Sequence, residues 1–388
     1  MTRSVPGIVR RFPSLRAAES RNRSSRPSFR LLLFACLLVV WATGSSSDPA
    51  RAEEPQNTAP VERSEEPLFS LDSPIGPIEY NLGRGLRFGR TGLNIGGFAT
   101  FEIEKERAEN GVFAVDGINF LVLFEPIQPL RLFMEIEVGN LFEVDVHTGI
   151  SESSPTANFQ RLFGEISLND AFHVRIGKFQ TPVGRWNLVP AEPFVWTSTE
   201  PNLIEAFDEH TTGAMLHGSL FPTKGSLEYW LYGQFAPFDP EEDEEPADRN
   251  VGGRLEYSSD LEMWSVGSSL LAAQLEDRWG YLAGLDGEFR YGPFELTSEF
   301  VYNWGDLENP FRWDIYLQGV LEVLPNLYLV GRYEHSAGLG PNPDLNLGDV
   351  GLTWLPLPPL NLKATYRFSD ERAEDVFEGF KASITVLF

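Results

Sequence analysis

From about residue 91 to the end of this 388-residue chain, side-chain character changes at every second position, and no stretch carries a 3.6-residue apolar stripe of helix length. In Leu360–Ser369 one face holds Leu360, Leu362, Ala364, Tyr366 and Phe368, and the other holds Asn361, Lys363, Thr365, Arg367 and Ser369. The segment 312–322 divides the same way, with Trp313, Ile315, Leu317, Gly319 and Leu321 against Arg312, Asp314, Tyr316, Gln318, Val320 and Glu322. A strand sends successive side chains to opposite faces, so one face suits hydrocarbon and the other suits water.

Sixteen such runs are predicted: 91–106, 112–124, 129–146, 158–168, 171–179, 211–221, 226–236, 250–258, 261–274, 279–291, 293–304, 311–324, 327–335, 346–355, 359–369 and 377–388. Connections after even-numbered runs are tight and rich in turn formers, such as Asn169-Asp170, Tyr291-Gly292 and Pro325-Asn326. Those after odd-numbered runs are mostly longer and polar, as in 147–157, 237–249 and 336–344. Short turns on one rim and long loops on the other, with an even strand number, specify an all-β transmembrane antiparallel β-barrel of about 16 strands. Closure removes the sheet edges that lipid cannot satisfy. A sandwich or propeller also has many short strands, but neither predicts the ending in which Phe380, Ala382, Ile384, Val386 and Phe388 share one face. The tryptophans Trp196, Trp230, Trp264, Trp279, Trp304, Trp313 and Trp354 are expected near strand ends, where aromatic girdles mark the lipid interfaces.

The first 30 residues carry eight Arg and one acid, Glu19. An apolar run, Leu31 to Ala42, and the Ala50-Arg51-Ala52 site follow, so 1–52 reads as a secretory signal peptide. Arg10-Arg11 leaves a twin-arginine signal open, and Leu33-Phe34-Ala35-Cys36 leaves a lipoprotein site open. Cleavage after Ala52 removes nine of 31 basic and two of 56 acidic residues, leaving a Cys-free chain with 22 basic and 54 acidic side chains. No disulfide framework or thiolate chemistry is then expected. So acidic a surface repels phosphate backbones, which excludes nucleic acid as a partner. Residues 53–90 are Pro-rich and acidic without alternation, which predicts a periplasmic linker, with 80–88 as a short strand or plug; 91–388 is the barrel.

Three stretches carry a resemblance: His173-Val-Arg-Ile-Gly-Lys-Phe-Gln-Thr-Pro-Val-Gly184, Leu93-Asn-Ile-Gly-Gly-Phe98 and the final Phe388. In them the chain resembles the phosphate-selective porins O and P. The resemblance implies a 16-stranded, usually trimeric diffusion channel in the outer membrane of a Gram-negative-type bacterium, narrowed by an inward-folded third loop. Here that loop would be 180–210, the longest connection. Implied partners are outer-membrane lipid and lipopolysaccharide, small hydrophilic solutes or ions, two further copies forming a homotrimer, and the barrel assembly machinery, for which Phe388 is the expected insertion signal.

Charged rings in a pore wall sort ions, and the water-facing cations and acids of the runs are nearly balanced, so many are able to pair across strands. The expected constriction residues are Arg161 and Arg175 on adjacent strands, Arg185 at the loop base, and Glu205, Asp208 and Glu209 at its end. With only five Lys after residue 52, anion specificity is weakly supported. The acidic run 239–245 reads as a solvated external loop, with divalent-cation bridging of lipopolysaccharide as the alternative. Histidines 147, 173, 210, 217 and 335 form no metal-ligand spacing, so no metal, cofactor or covalent chemistry is expected. Two other readings stay open: a closed-lumen scaffold, and a hydrolase in which Ser, His and carboxylate meet.

Overall fold

The computed structural model describes residues 67–388 apart from 108–110, 190–191, 236–246, 276–277, 306–310, 339–343 and 370–375. The predicted leader 1–52 and the acidic run 239–245 lie outside the described residues. Three short strands come first, β1 (Phe69–Leu71), β2 (Ile78–Asn81) and β3 (Gly85–Phe88). They form an antiparallel meander whose last strand pairs onto β4 (Leu93–Glu106) through Leu86↔Ile95 and Arg87↔Asn94.

The barrel begins with β4 and continues with β5 (Gly111–Ile127) and β6 (Leu130–Asp145). A two-residue strand, β7 (Ser151–Glu152), lies in the following loop. Next come β8 (Thr156–Asn169), β9 (Phe172–Gln180), β10 (His210–Leu220), β11 (Ser226–Gln234), β12 (Arg249–Ser258) and β13 (Trp264–Leu275). The last seven are β14 (Arg278–Tyr291), β15 (Phe294–Gly305), β16 (Phe311–Leu324), β17 (Leu327–Gly338), β18 (Leu345–Leu357), β19 (Leu360–Ser369) and β20 (Gly379–Leu387). Each long strand pairs antiparallel with the next, and β20 returns to β4 from Gly379↔Glu106 to Leu387↔Phe98. The sheet is therefore a closed antiparallel barrel of 16 long strands, one for each predicted run. Beyond the last strand, Phe388 continues the seam: its N–H donates to the Gly97 carbonyl and its carbonyl accepts from the Gly97 N–H, both at 2.9 Å.

The alternation acquires its meaning from closure. Ile176, Leu231, Val251, Leu255, Leu270 and Leu285 are each more than half exposed on one face of the wall. Glu165, Arg254, Ser269, Asp286, Arg332 and Thr365 are each almost fully buried on the other. An exposed apolar band of this extent is an oil-facing surface rather than a water-facing one. No helix among the described residues is long and apolar enough to cross a membrane; the strands cross instead.

The inner face departs from the simple rule in one respect. Phe179, Met215, Tyr232, Leu271, Leu282, Val301 and Tyr316 point inward from β9 to β16 and, with Val183 and Leu203 of the β9–β10 connection, form a buried apolar cluster. These inward residues are apolar because what they face is protein, not water. Two tryptophans expected in the girdles also belong inside: Trp230 lies beneath the Arg254 guanidinium, and Trp196, on the β9–β10 connection, donates its indole N–H to Glu295.

Candidate functional site: the barrel interior

The connection between Gln180 and His210 contains three short 3₁₀ turns, Trp186–Leu188, Glu192–Phe194 and Asn202–Ala206. A segment this long with little regular structure leaves its backbone polar groups to be satisfied by something else. Inward side chains of the wall do so, in sequence around the ring.

At the loop base, Gly184 holds a left-handed backbone (φ +64°), and its N–H donates to Ser269 Oγ at 3.2 Å. A β-carbon at Gly184 would collide with the Glu299 carboxylate, so only glycine lets the chain approach the wall here. Glu299 instead accepts the Trp186 N–H and the Tyr316 hydroxyl, each at 2.6 Å. Arg185 reaches Glu256 at 2.6 Å, Glu288 at 3.1 Å and Ser265. Beside it, Arg254 is fully buried and forks onto both carboxylate oxygens of Asp286 while bonding Glu256 at 2.6 Å.

Farther along, the loop is tied to β17, β18 and β19. Arg332 donates to Thr197 Oγ1, to Thr199 and to Asp349, the last at 2.5 Å. Arg367 donates to Asp349 at 2.8 and 2.9 Å, to Glu334 at 2.9 Å and to the Glu200 carbonyl at 2.6 Å. Thr199 Oγ1 donates to Asp349 at 2.9 Å, and the Asn202 N–H to Glu334 at 2.7 Å. Ser198 reaches the Lys381 carbonyl on β20. The return arm is held by Asn303 on the Ala206 carbonyl and by Asn187, which donates to the carbonyls of Thr181 and Glu209. Buried charges are tolerated because each guanidinium meets carboxylates in hydrogen-bonding geometry; an unpaired one would cost several kcal/mol.

The expected constriction residues occupy three settings. Arg161 and Arg175 lie on the inner wall of β8 and β9, paired with Glu135 at 2.5 Å and with Glu165 at 2.6 Å. Arg185 anchors the loop base, with carboxylates of β12 and β14 around it, and retains 20% of its side-chain exposure. Glu205 is exposed on the third 3₁₀ turn, Asp208 accepts the Ala247 N–H at 3.1 Å, and the Glu209 carbonyl ties the loop ends together. Asp349, the hub of the β17–β19 network, escaped the sequence reading because Leu347, Gly348 and Gly351 blur the alternation around it. Glu102, which pairs with Lys381 at 2.8 Å, was missed as well.

Histidines 173 and 217 stack with ring centroids 4.9 Å apart on β9 and β10. Ser167 Oγ lies 2.8 Å from His173 Nδ1, while Glu165 lies 3.0 Å from His217 Nε2. Hydroxyl and carboxylate therefore contact different imidazoles, not the two nitrogens of one, as nucleophilic catalysis by a Ser, His and acid triad requires.

No family model matches the chain, and no curated protein matches it by sequence. Its fold is similar to that of solved outer-membrane porins. OmpF of Salmonella typhi, in complex with daunomycin, aligns over 78% of this chain and 99% of its own, with a TM-score of 0.56 and 12% identity. The anion-selective porin of Comamonas acidovorans aligns over 76% and 98%, at 0.53 and 13%. OmpT of Vibrio cholerae, an outer-membrane protein solved in a trimer form, aligns over 76% and 99%, at 0.54 and 12%.

Proposed function

We propose that this chain is an outer-membrane porin that performs no covalent chemistry and passes small hydrophilic solutes or ions by diffusion through the lumen. The observation that carries this reading is the unequal lining of the inner face. Residues 181–209 bond to inward side chains of β12, β15, β17 and β18, among them Glu256, Glu299, Glu334 and Asp349, whereas on β6, β8 and β9 Arg131, Arg161 and Arg175 pair with carboxylates of the wall itself and their side chains retain 47%, 19% and 23% exposure. The water path then runs between the loop and the β4–β9 wall, with Arg161 and Arg175 on one side and the loop carboxylates Glu205, Asp208 and Glu209 contributing to the other. Assembly as a homotrimer accords with the trimer form of the Vibrio cholerae protein, and kinship with the phosphate-selective porins rests on the residues 173–184 and 93–98.

Single-channel recording of the mature protein in planar bilayers tests the reading. Stepwise openings are expected. A salt gradient gives a reversal potential that shifts toward cation preference in Arg175→Ala; no shift removes Arg175 from the permeation path. Block by phosphate at low concentration would support phosphate selectivity. The apolar cluster inside the barrel supports a second reading, a closed-lumen scaffold, and a folded barrel with no conductance would establish it.

A further inference from the structure

Four inward side chains of β6, β8 and β9 form a continuous row, whose Phe163 also packs against the edge of the buried apolar cluster. The Phe133 and Phe163 rings stack with centroids 5.3 Å apart and planes 28° from parallel. The Arg161 guanidinium lies 4.8 Å from the centre of Phe133, and that of Arg175 lies 4.1 Å from the centre of Phe163. Strand pairing sets the row: Phe133 is directly opposite Phe163 on β8, Phe163 opposite Gly177 on β9, and Glu135 opposite Arg161. With no side chain on Gly177, Arg175 has room to lean onto the phenyl ring.

The counter-ions are placed unequally. Glu135 and Glu165 retain 5% and 2% of their side-chain exposure, against 19% and 23% for the arginines they pair with. Although the charges balance, a solute at this wall meets guanidinium edges and phenyl rings while the carboxylates lie behind them. Arg131 adds a third guanidinium, 3.6 Å from Glu165 and bonded at 2.8 Å to Glu125, whose carboxylate is exposed at the edge of the row.

We propose that the row Arg161, Phe133, Phe163 and Arg175 is a solute subsite for small aromatic carboxylates. A carboxylate is matched by guanidinium N–H edges, and a conjugated ring gains from phenyl and guanidinium contacts. A tetrahedral inorganic anion uses only the charge. The subsite deepens the porin reading and rests on it for access from the lumen.

The test uses the mature protein in planar bilayers, with benzoate, acetate, inorganic phosphate and benzamide each added during conduction of potassium chloride. Benzoate is expected to reduce the current at a concentration about fivefold below acetate, the size of one aromatic contact. Phosphate and benzamide are expected to need concentrations nearer that of acetate. Phe163→Leu abolishes the difference between benzoate and acetate. Arg175→Lys keeps the charge and loses the planar contact, and so reduces the preference for benzoate over acetate. Equal block by benzoate and acetate, block by benzamide equal to that by benzoate, or an undiminished preference in both variants overturns the proposal. Saturation-transfer NMR of benzoate on the folded protein reads the subsite without conductance. Binding to a barrel that conducts nothing would retain the subsite and refute the porin reading; absence of binding to a barrel that conducts would do the reverse. Should Phe163→Leu not fold, Phe133→Leu and Arg175→Lys carry the same comparison.

Discussion

Replacing Asp349 by Asn alters the centre of the network that ties the loop to the wall. The side chain is 1% exposed and accepts four hydrogen bonds: two from Arg367, one from Arg332 and one from Thr199. An asparagine of the same shape keeps one oxygen as acceptor and places two N–H donors against two guanidinium groups that are themselves donors only. At least the charge-assisted bond from Arg367 Nε is lost, at about 1.5 to 3 kcal/mol, an amide N–H faces a guanidinium in its place, and the two buried cations then share Glu334 as their one remaining carboxylate. The expected loss is about 3 to 5 kcal/mol, the range for breaking a buried ion pair from one side. Urea unfolding of the protein in lipid vesicles, followed by tryptophan fluorescence, measures it. Because Thr199, Glu200 and Asn202 depend on the same network, the channel is also expected to show noisier and larger conductance steps. A stability change below about 1 kcal/mol together with unaltered conductance would refute the assignment of Asp349 as the hub.

Other substitutions probe different layers of the structure. Gly184→Ala combines a left-handed backbone (φ +64°) with a β-carbon against the Glu299 carboxylate. It should cost at least about 1 to 2 kcal/mol in the same unfolding assay and alter conductance, whereas Ala at Gly292, which shares the left-handed backbone (φ +58°) but where a β-carbon meets nothing within 4 Å, should show the backbone cost alone and leave conductance unchanged. Leu285→Arg, at an outward position 62% exposed near the middle of β14, should destabilise the barrel in vesicles by about 2 to 4 kcal/mol. The same substitution in a water-facing sheet would cost almost nothing, so a null result would remove this face from the bilayer.

The residue pattern carried different amounts of information about wall and interior. Strand number, turn rim and the inward position of Asp314, Lys363 and Arg367 were legible because a period of two admits one assignment of faces once one face must be apolar. Pairing partners were only partly legible. Arg161 with Glu135 and Arg175 with Glu165 sit at neighbouring register positions, but Arg185 with Glu288, or Arg367 with the Glu200 carbonyl, connects residues that no local pattern associates. The inward apolar residues Phe179, Tyr232, Leu271 and Val301 contradict a rule that assumes a water-filled lumen, and Trp196 and Trp230 contradict the girdle for the same reason.

By itself the sequence determined that this chain closes into a barrel with an oil-facing exterior, because alternation is a local property that each strand states independently. The tertiary structure alone decided what the interior is. The path of residues 181–209 converts some inward positions into a packed, charge-paired core and leaves others at the lumen. That path depends on carboxylates and arginines more than one hundred residues away, which become its neighbours only when β20 meets β4.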